Sequence, residues 1–286
     1  MKLLMLITFS LGLHAQTLSS CFLSGENYGS QSGTPTSINP ACADLILNTG
    51  DHLTKDFSSD ELIEVTGKNN ILIVRINALD GNNNPVFFAD EFTSGEKSKL
   101  SNIQAVDFNE GDSRVYVLNQ SNDGKKQVYS YQYDVGGNNT PLRELVTDDI
   151  EEASNLRING EETLLISSNA KWLRVFNGLA DPDGKKSENS NNILREISGS
   201  NTLFSSPNDL VIYNSEIFIL DNDRVLVFNL TDSGDIAPKR NINGSNTQLS
   251  GAKRIEINSS NELVITNSDG SKKRFNINAN GNVNPL

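Results

Sequence analysis

Side-chain chemistry in this sequence is most concentrated in the tetrapeptide Pro207-Asn208-Asp209-Leu210. An amide and a carboxylate side by side supply oxygens of the kind Ca²⁺ takes, and a carboxylate can equally accept hydrogen bonds or pair with a guanidinium. Asp80, Asp181, Asp183, Asp232 and Asp235 offer further oxygens, but none falls in the complete spaced set of an EF-hand loop, so turn chemistry is their ordinary use. The two histidines are His14 and His52. They exclude a His-rich metal site, and with the first fifteen residues removed any Ser-His-Asp relay would have to run through His52. No P-loop or dinucleotide fingerprint opens a helix. No catalytic residue, bound metal or cofactor is therefore expected, with Ca²⁺ the one ion that Asn208 could serve.

The elements that must position these residues announce themselves by repetition. A loop of the form Gly-[Asn/Asp]-x-x-Pro occurs at 81–85, 137–141, 234–238 and 281–285, its glycines separated by 56, 97 and 47 residues. The middle spacing is about two periods of about 48, which implies a diverged copy between the second and third loops and five units in all. A period of 40 to 50 residues built from short strands is the signature of a β-propeller, whose blades bury their faces only against one another. Within the units, alternating and β-branched segments predict a first strand at 106–108, 156–158, 210–212 and 255–257, and a second at 115–119, 163–167, 216–220 and 262–266. A third strand follows at 128–133, 172–176, 225–228 and 272–277, and the loop proline opens a fourth, as at 141–145 and 238–242. Asn119, Asn169, Asn222 and Asn267 end the second strands as turn formers, and Tyr129, Tyr131 and Tyr133 share one strand face, either between blades or as a stacking platform.

The sequence thus predicts an all-β, five-bladed propeller of four-stranded antiparallel blades. Because it reaches Pro285-Leu286 where a fourth strand should start, the last blade is expected to be closed by an N-terminal strand at 44–47, with a sixth, degenerate blade left open near the irregular first unit. The propeller domain covers 43–286. Residues 1–15 read as a signal peptide: Lys2, an apolar run, then Ala15 as the cleavage residue. Residues 16–42 read as a flexible leader whose Cys21 and Cys42 form a disulfide, a loop closure worth about 3 kcal/mol in the chain-entropy model. Leu18-Ser19-Ser20-Cys21 also matches a lipoprotein processing box, which would lipidate Cys21 and leave Cys42 as a thiol.

The run I-x-G-S-N-T-x-L, then two strands, V-F-N and G-[ND]-x-x-P resembles the repeats of bacterial NHL-type and YVTN-type β-propeller proteins over about 43–286. That resemblance implies a scaffold used more for binding than for catalysis, and it departs in the third unit, where 178–192 with Asp181 and Asp183 replaces the short loop. Pro207-Asn208-Asp209-Leu210 is similar to a motif of gluconolactonase-type calcium-dependent hydrolases, which implies Asn208 as a metal ligand. The equivalent places in the other units, Ala105, Asn155 and Arg254, do not supply converging carboxylates, so the expectation at the ring centre is an ion pair or hydrogen-bonded cluster of Asn155, Asn208, Asp209 and Arg254.

The formal net charge of −12 would repel nucleic acid and anionic membranes, and no segment is apolar enough to span a bilayer. The expected protein is a monomeric, extracytoplasmic binding module, periplasmic or secreted, for a protein, peptide or glycan ligand. A calcium-dependent lactonase-like hydrolase is the alternative.

Overall fold

The computed structural model describes residues 51–58, 61–68, 71–79, 85–109, 111–132, 137–179 and 193–286. The signal, the leader, Cys21, Cys42, the strand at 44–47, Tyr133, and the 180–192 segment with Asp181 and Asp183 lie outside the described residues.

Antiparallel sheets follow one another along the chain, each built from sequence-adjacent strands. The first contains β1 (Asp51–Ser58), β2 (Glu61–Lys68), β3 (Ile71–Leu79) and β4 (Pro85–Thr93). The second contains β5 (Asn102–Asn109), β6 (Arg114–Gln120), β7 (Lys126–Gln132) and β8 (Arg143–Leu145); the third β9 (Asn155–Asn159), β10 (Glu162–Ser167), β11 (Trp172–Asn177) and β12 (Ile193–Ser198). The fourth contains β13 (Pro207–Tyr213), β14 (Glu216–Asp221), β15 (Arg224–Asn229) and β16 (Arg240–Ile242). The last sheet has three strands, β17 (Ala252–Ile257), β18 (Glu262–Asn267) and β19 (Lys272–Asn276).

The expected ring of five four-stranded blades is thereby corrected. Four blades are complete, the sheet after them stops at three strands, and among the described residues no N-terminal strand adjoins β19. Neither the count of five complete blades nor a sixth survives. The physical reason is that the repeat counts turns: the 281–285 loop is present, but the strand such a loop should open is not among the described residues. The composition of 44–47 fits the vacant place poorly as well. Complete blades put Arg143, Arg195 or Arg240 at the start of the fourth strand, and no arginine precedes Arg75 in the sequence.

Burial explains why the middle strands read as apolar runs rather than as alternations. In β14, Ile217, Phe218, Ile219 and Leu220 are all fully buried, because neighbouring sheets cover both faces. Four hydrophobic clusters join successive sheets, such as Leu164, Leu173 and Val175 with Leu210, Ile217 and Phe228 between the third and fourth. Each large side chain so buried contributes about 1.5–3 kcal/mol. The first strand of each sheet is the one that meets its counterparts, with β5 beside β1 and β9, and β13 beside β9 and β17.

Candidate functional site

Three of these first strands carry a register shift near their start, between Ile103 and Ala105, Pro207 and Asp209, and Ala252 and Arg254. A bulge re-aims the side chain that follows it. In β13 it turns Asp209 into the space between three sheets. There Asp209 Oδ1 accepts from Arg157 Nη2 at 2.7 Å, Asn155 Nδ2 at 3.1 Å and the Leu210 N–H at 2.9 Å, while Oδ2 accepts from the Ile255 N–H at 3.0 Å. Asn155 Nδ2 also reaches the Asn208 carbonyl, 3.1 Å away. One carboxylate thus ties β13 to β9 on one side and to β17 on the other. Burial pushes the Asp209 carboxyl up from its ordinary value, against the opposing pull of Arg157, the Ile255 and Leu210 N–H groups and the charge of Arg254.

Asn155, Asn208 and Asp209 therefore meet as the sequence placed them, but the guanidinium bonded to Asp209 is Arg157, with Arg254 acting on it through charge. Arg157 was not legible because the equivalent-position argument looks at one residue per sheet, and Arg157 lies two residues further along β9. A second strut was also missed. Asp107, fully buried in β5, accepts the Ile158 N–H at 2.7 Å and so joins β5 to β9. Its signal was present as a charged residue inside the apolar run Val106-Asp107-Phe108, a place where only a satisfied carboxylate is tolerated.

Metal chemistry finds little purchase here. All four donors to Asp209 come from the protein itself, and among the described residues no group of three or more His, Cys, Asp or Glu could hold a metal. Asn208 Oδ1 is buried without a hydrogen-bond donor among the described residues, the one loose end of the cluster. The residues present do not fit a calcium centre.

The repeated loops have a use that their periodicity alone did not disclose. A short 3-10 turn follows the fourth strand of each complete blade: Glu96–Ser98, Asp148–Ile150, Ser200–Thr202 and Ser245–Thr247. At three of them the next sheet's Gly-[Asn/Asp] loop docks onto the turn. Asn138 Oδ1 accepts the Lys97 N–H at 2.8 Å, Asp235 Oδ1 the Asn201 N–H at 2.7 Å, and Asn282 Oδ1 the Asn246 N–H at 2.8 Å. Gly137, Gly234 and Gly281 add backbone bridges to Thr93, Ile197 and Ile242. The turns start at glycines with φ of 120° at Gly199 and 125° at Gly244, and a Cβ at either would overlap the side chain of Asp235 or Asn282. Asp235, read from sequence as turn chemistry, is thus a clasp between sheets, whereas Asp232 does serve its own turn by accepting the Asn229 N–H at 2.7 Å.

Tyr129 and Tyr131 are buried between the first and second sheets, which leaves them no stacking platform to form. Burial pushes the Tyr129 phenol up to about 12 and that of Tyr131 further still. Asn119 is buried and accepts the Ser101 and Asn102 N–H groups at 2.9 and 3.2 Å, and Asp221 does the same for Ser205 and Ser206.

No family model matches the chain, and no curated protein does; the NHL-type resemblance of the repeats is not confirmed at the level of a family. Among solved structures the chain is similar to a glutaminyl cyclase from Myxococcus xanthus, at 13% identity and TM-score 0.41 over 76% of this chain and 85% of that one. It is also similar to a protein from Bacteroides fragilis provisionally assigned as a 6-phosphogluconolactonase, at 12% identity and TM-score 0.44 over 76% and 68%. A third is KlHsv2 with its loop 6CD replaced by a Gly-Ser linker, at 16% identity and TM-score 0.41, where the match spans 79% of this chain and 66% of that one. Likenesses this distant say nothing about what this chain binds.

Proposed function

We propose that the protein is an extracytoplasmic binding module for a protein, peptide or glycan, not a catalyst. The observation that carries this reading is the saturation of Asp209, the one buried carboxylate among the four residues expected at the ring centre. Its oxygens are spent on Asn155, Arg157, Leu210 and Ile255, so it serves as a brace and is a poor general base or metal ligand. Among the described residues no helix is long and apolar enough to cross a membrane, and the charge balance of the sequence disfavours nucleic acid.

The test is a glycan and peptide array with the purified mature protein, with and without Ca²⁺, beside a lactone-hydrolysis assay. Binding independent of calcium with no turnover is expected. One observation favours the hydrolase, the buried Asn208 Oδ1. A calcium-dependent rise in Tm that Asn208→Ala abolishes, together with lactone turnover, would put the hydrolase in the module's place.

A further inference from the structure

The outer side of β19 differs from the third strand of every complete blade. In β15 the positions that face the fourth strand read Val225-Leu226-Val227, pairing with Ile242, Asn241 and Arg240. The corresponding positions of β19, set by their pairing with β18, read Lys272-Lys273-Arg274, the only three consecutive basic residues in a chain of net charge −12. No strand pairs with them among the described residues. Yet the ladder has been started. Leu286 N donates to the Arg274 carbonyl at 2.8 Å, the same rung that Leu142 makes to Ser130 and Lys239 to Val227 at the head of β8 and β16.

We infer that the β19 edge is a strand-addition site for an acidic extended peptide, which would pair antiparallel with β19 and set alternate Asp or Glu side chains against Lys272 and Arg274. The inference rests on the binding-module reading and gives it a place and a partner class. Main-chain hydrogen bonds supply affinity in such additions and side chains supply the choice of sequence. Lys272 and Arg274 face the same side of the sheet, because their positions differ by two. They are held only by exposed pairs, Lys272 Nζ to Glu256 at 3.0 Å and Arg274 Nη1 to Glu262 at 3.2 Å, contacts weak enough to exchange for an incoming carboxylate. The same charges disfavour a second copy, since two β19 edges laid together would set lysine against lysine.

The test titrates the full chain with two labelled peptides, Thr-Glu-Val-Glu-Val-Thr and Thr-Lys-Val-Lys-Val-Thr, read by fluorescence anisotropy. The acidic peptide is expected to bind at least tenfold more tightly, to weaken in 0.5 M salt, and to protect amides 272–276 from hydrogen exchange. The Lys272→Glu, Arg274→Glu double variant should reverse the preference, an outcome that mere unfolding cannot produce. Equal affinity for the two peptides, an unreversed preference, protection elsewhere, or a dimer that already protects these amides in the free protein would overturn the inference. Array ligands indifferent to the charge reversal would overturn it too while leaving the module reading intact; the absence of any ligand would remove both.

Discussion

The junction between the second and third sheets and the three other junctions between successive sheets solve one problem in different ways. Every short turn after a fourth strand exposes N–H groups that need an acceptor. At Glu96–Ser98, Ser200–Thr202 and Ser245–Thr247 the acceptor comes from the following sheet: Asn138, Asp235 or Asn282. At Asp148–Ile150 it is local, Thr147 Oγ1 accepting the Asp149 N–H at 3.3 Å with Thr147 in extended backbone. The difference tracks the sequence. The third sheet is the one whose Gly-[Asn/Asp]-x-x-Pro loop is replaced by 178–192, so no clasp arrives, and a capping residue stands where the other turns start with glycine. What remains of the crossing contact is Arg143 Nη1 donating to the Leu179 carbonyl at 3.3 Å, as Arg240 does to Ile277 at 2.5 Å. A clasp couples two sheets, and a self-capped turn stabilises only itself.

The largest effect should come from denying a clasp its seat. Gly199→Ala combines an unfavourable φ with overlap on Asp235 and is expected to cost about 2–5 kcal/mol, measured as a shift in urea midpoint; a loss below 1 kcal/mol would mean that the loop simply moves aside. Next comes the brace at the ring centre. Asp209→Ala strands the Arg157 guanidinium and the Ile255 N–H and should cost about 1–3 kcal/mol, with Arg157→Ala similar and the double variant far less than additive. Third is the clasp itself. Asp235→Ala should lose about 0.5–2 kcal/mol and speed hydrogen exchange on both the third and fourth sheets, whereas Asp235→Asn should be nearly silent because Asn138 and Asn282 do the same work. Thr147→Ala, of similar size, should speed exchange only around 147–151; spread into 193–198 would erase the contrast between the two kinds of junction.

The smallest effect concerns pH. Burial raises the Asp209 carboxyl above its unfolded value of 3.8, so between 3.8 and its folded value the folded state holds more proton than the unfolded one. Its contribution to stability therefore falls as pH rises through that window and is flat above it. Asp209→Asn should remove that slope in denaturant midpoints taken from about pH 3.5 to 6, as other carboxylates titrate unchanged.

The two kinds of junction also show how far the sequence could be read. Turns and strands were legible because Gly, Pro and alternation act locally. That Gly199 serves Asp235 was not, since the two lie in different repeats and each has a sufficient local explanation as a turn residue. At the ring centre, Asn155, Asn208 and Asp209 could be grouped because each opens a first strand. The choice of Arg157 over Arg254 needed the bulge at Asn208, which leaves no mark in composition. The number of complete blades was misjudged for a related reason: the 281–285 loop is intact, and a loop carries no information about whether a strand pairs beyond it.

The clasps also set an order in time. Each is made by a residue 41, 34 or 36 positions downstream of the turn it closes, while Thr147 lies 2 positions from its partner. At a synthesis pace of about 5–20 residues per second, a clasped turn waits on the order of 2–8 s for its acceptor, and the Thr147 turn does not wait at all. Nascent chains stalled shortly after residue 179 should already protect 147–151, while those stalled before 234 should leave 199–202 open. The missing clasp thus marks a rest point in synthesis, where the first half of the molecule can finish before the second half arrives.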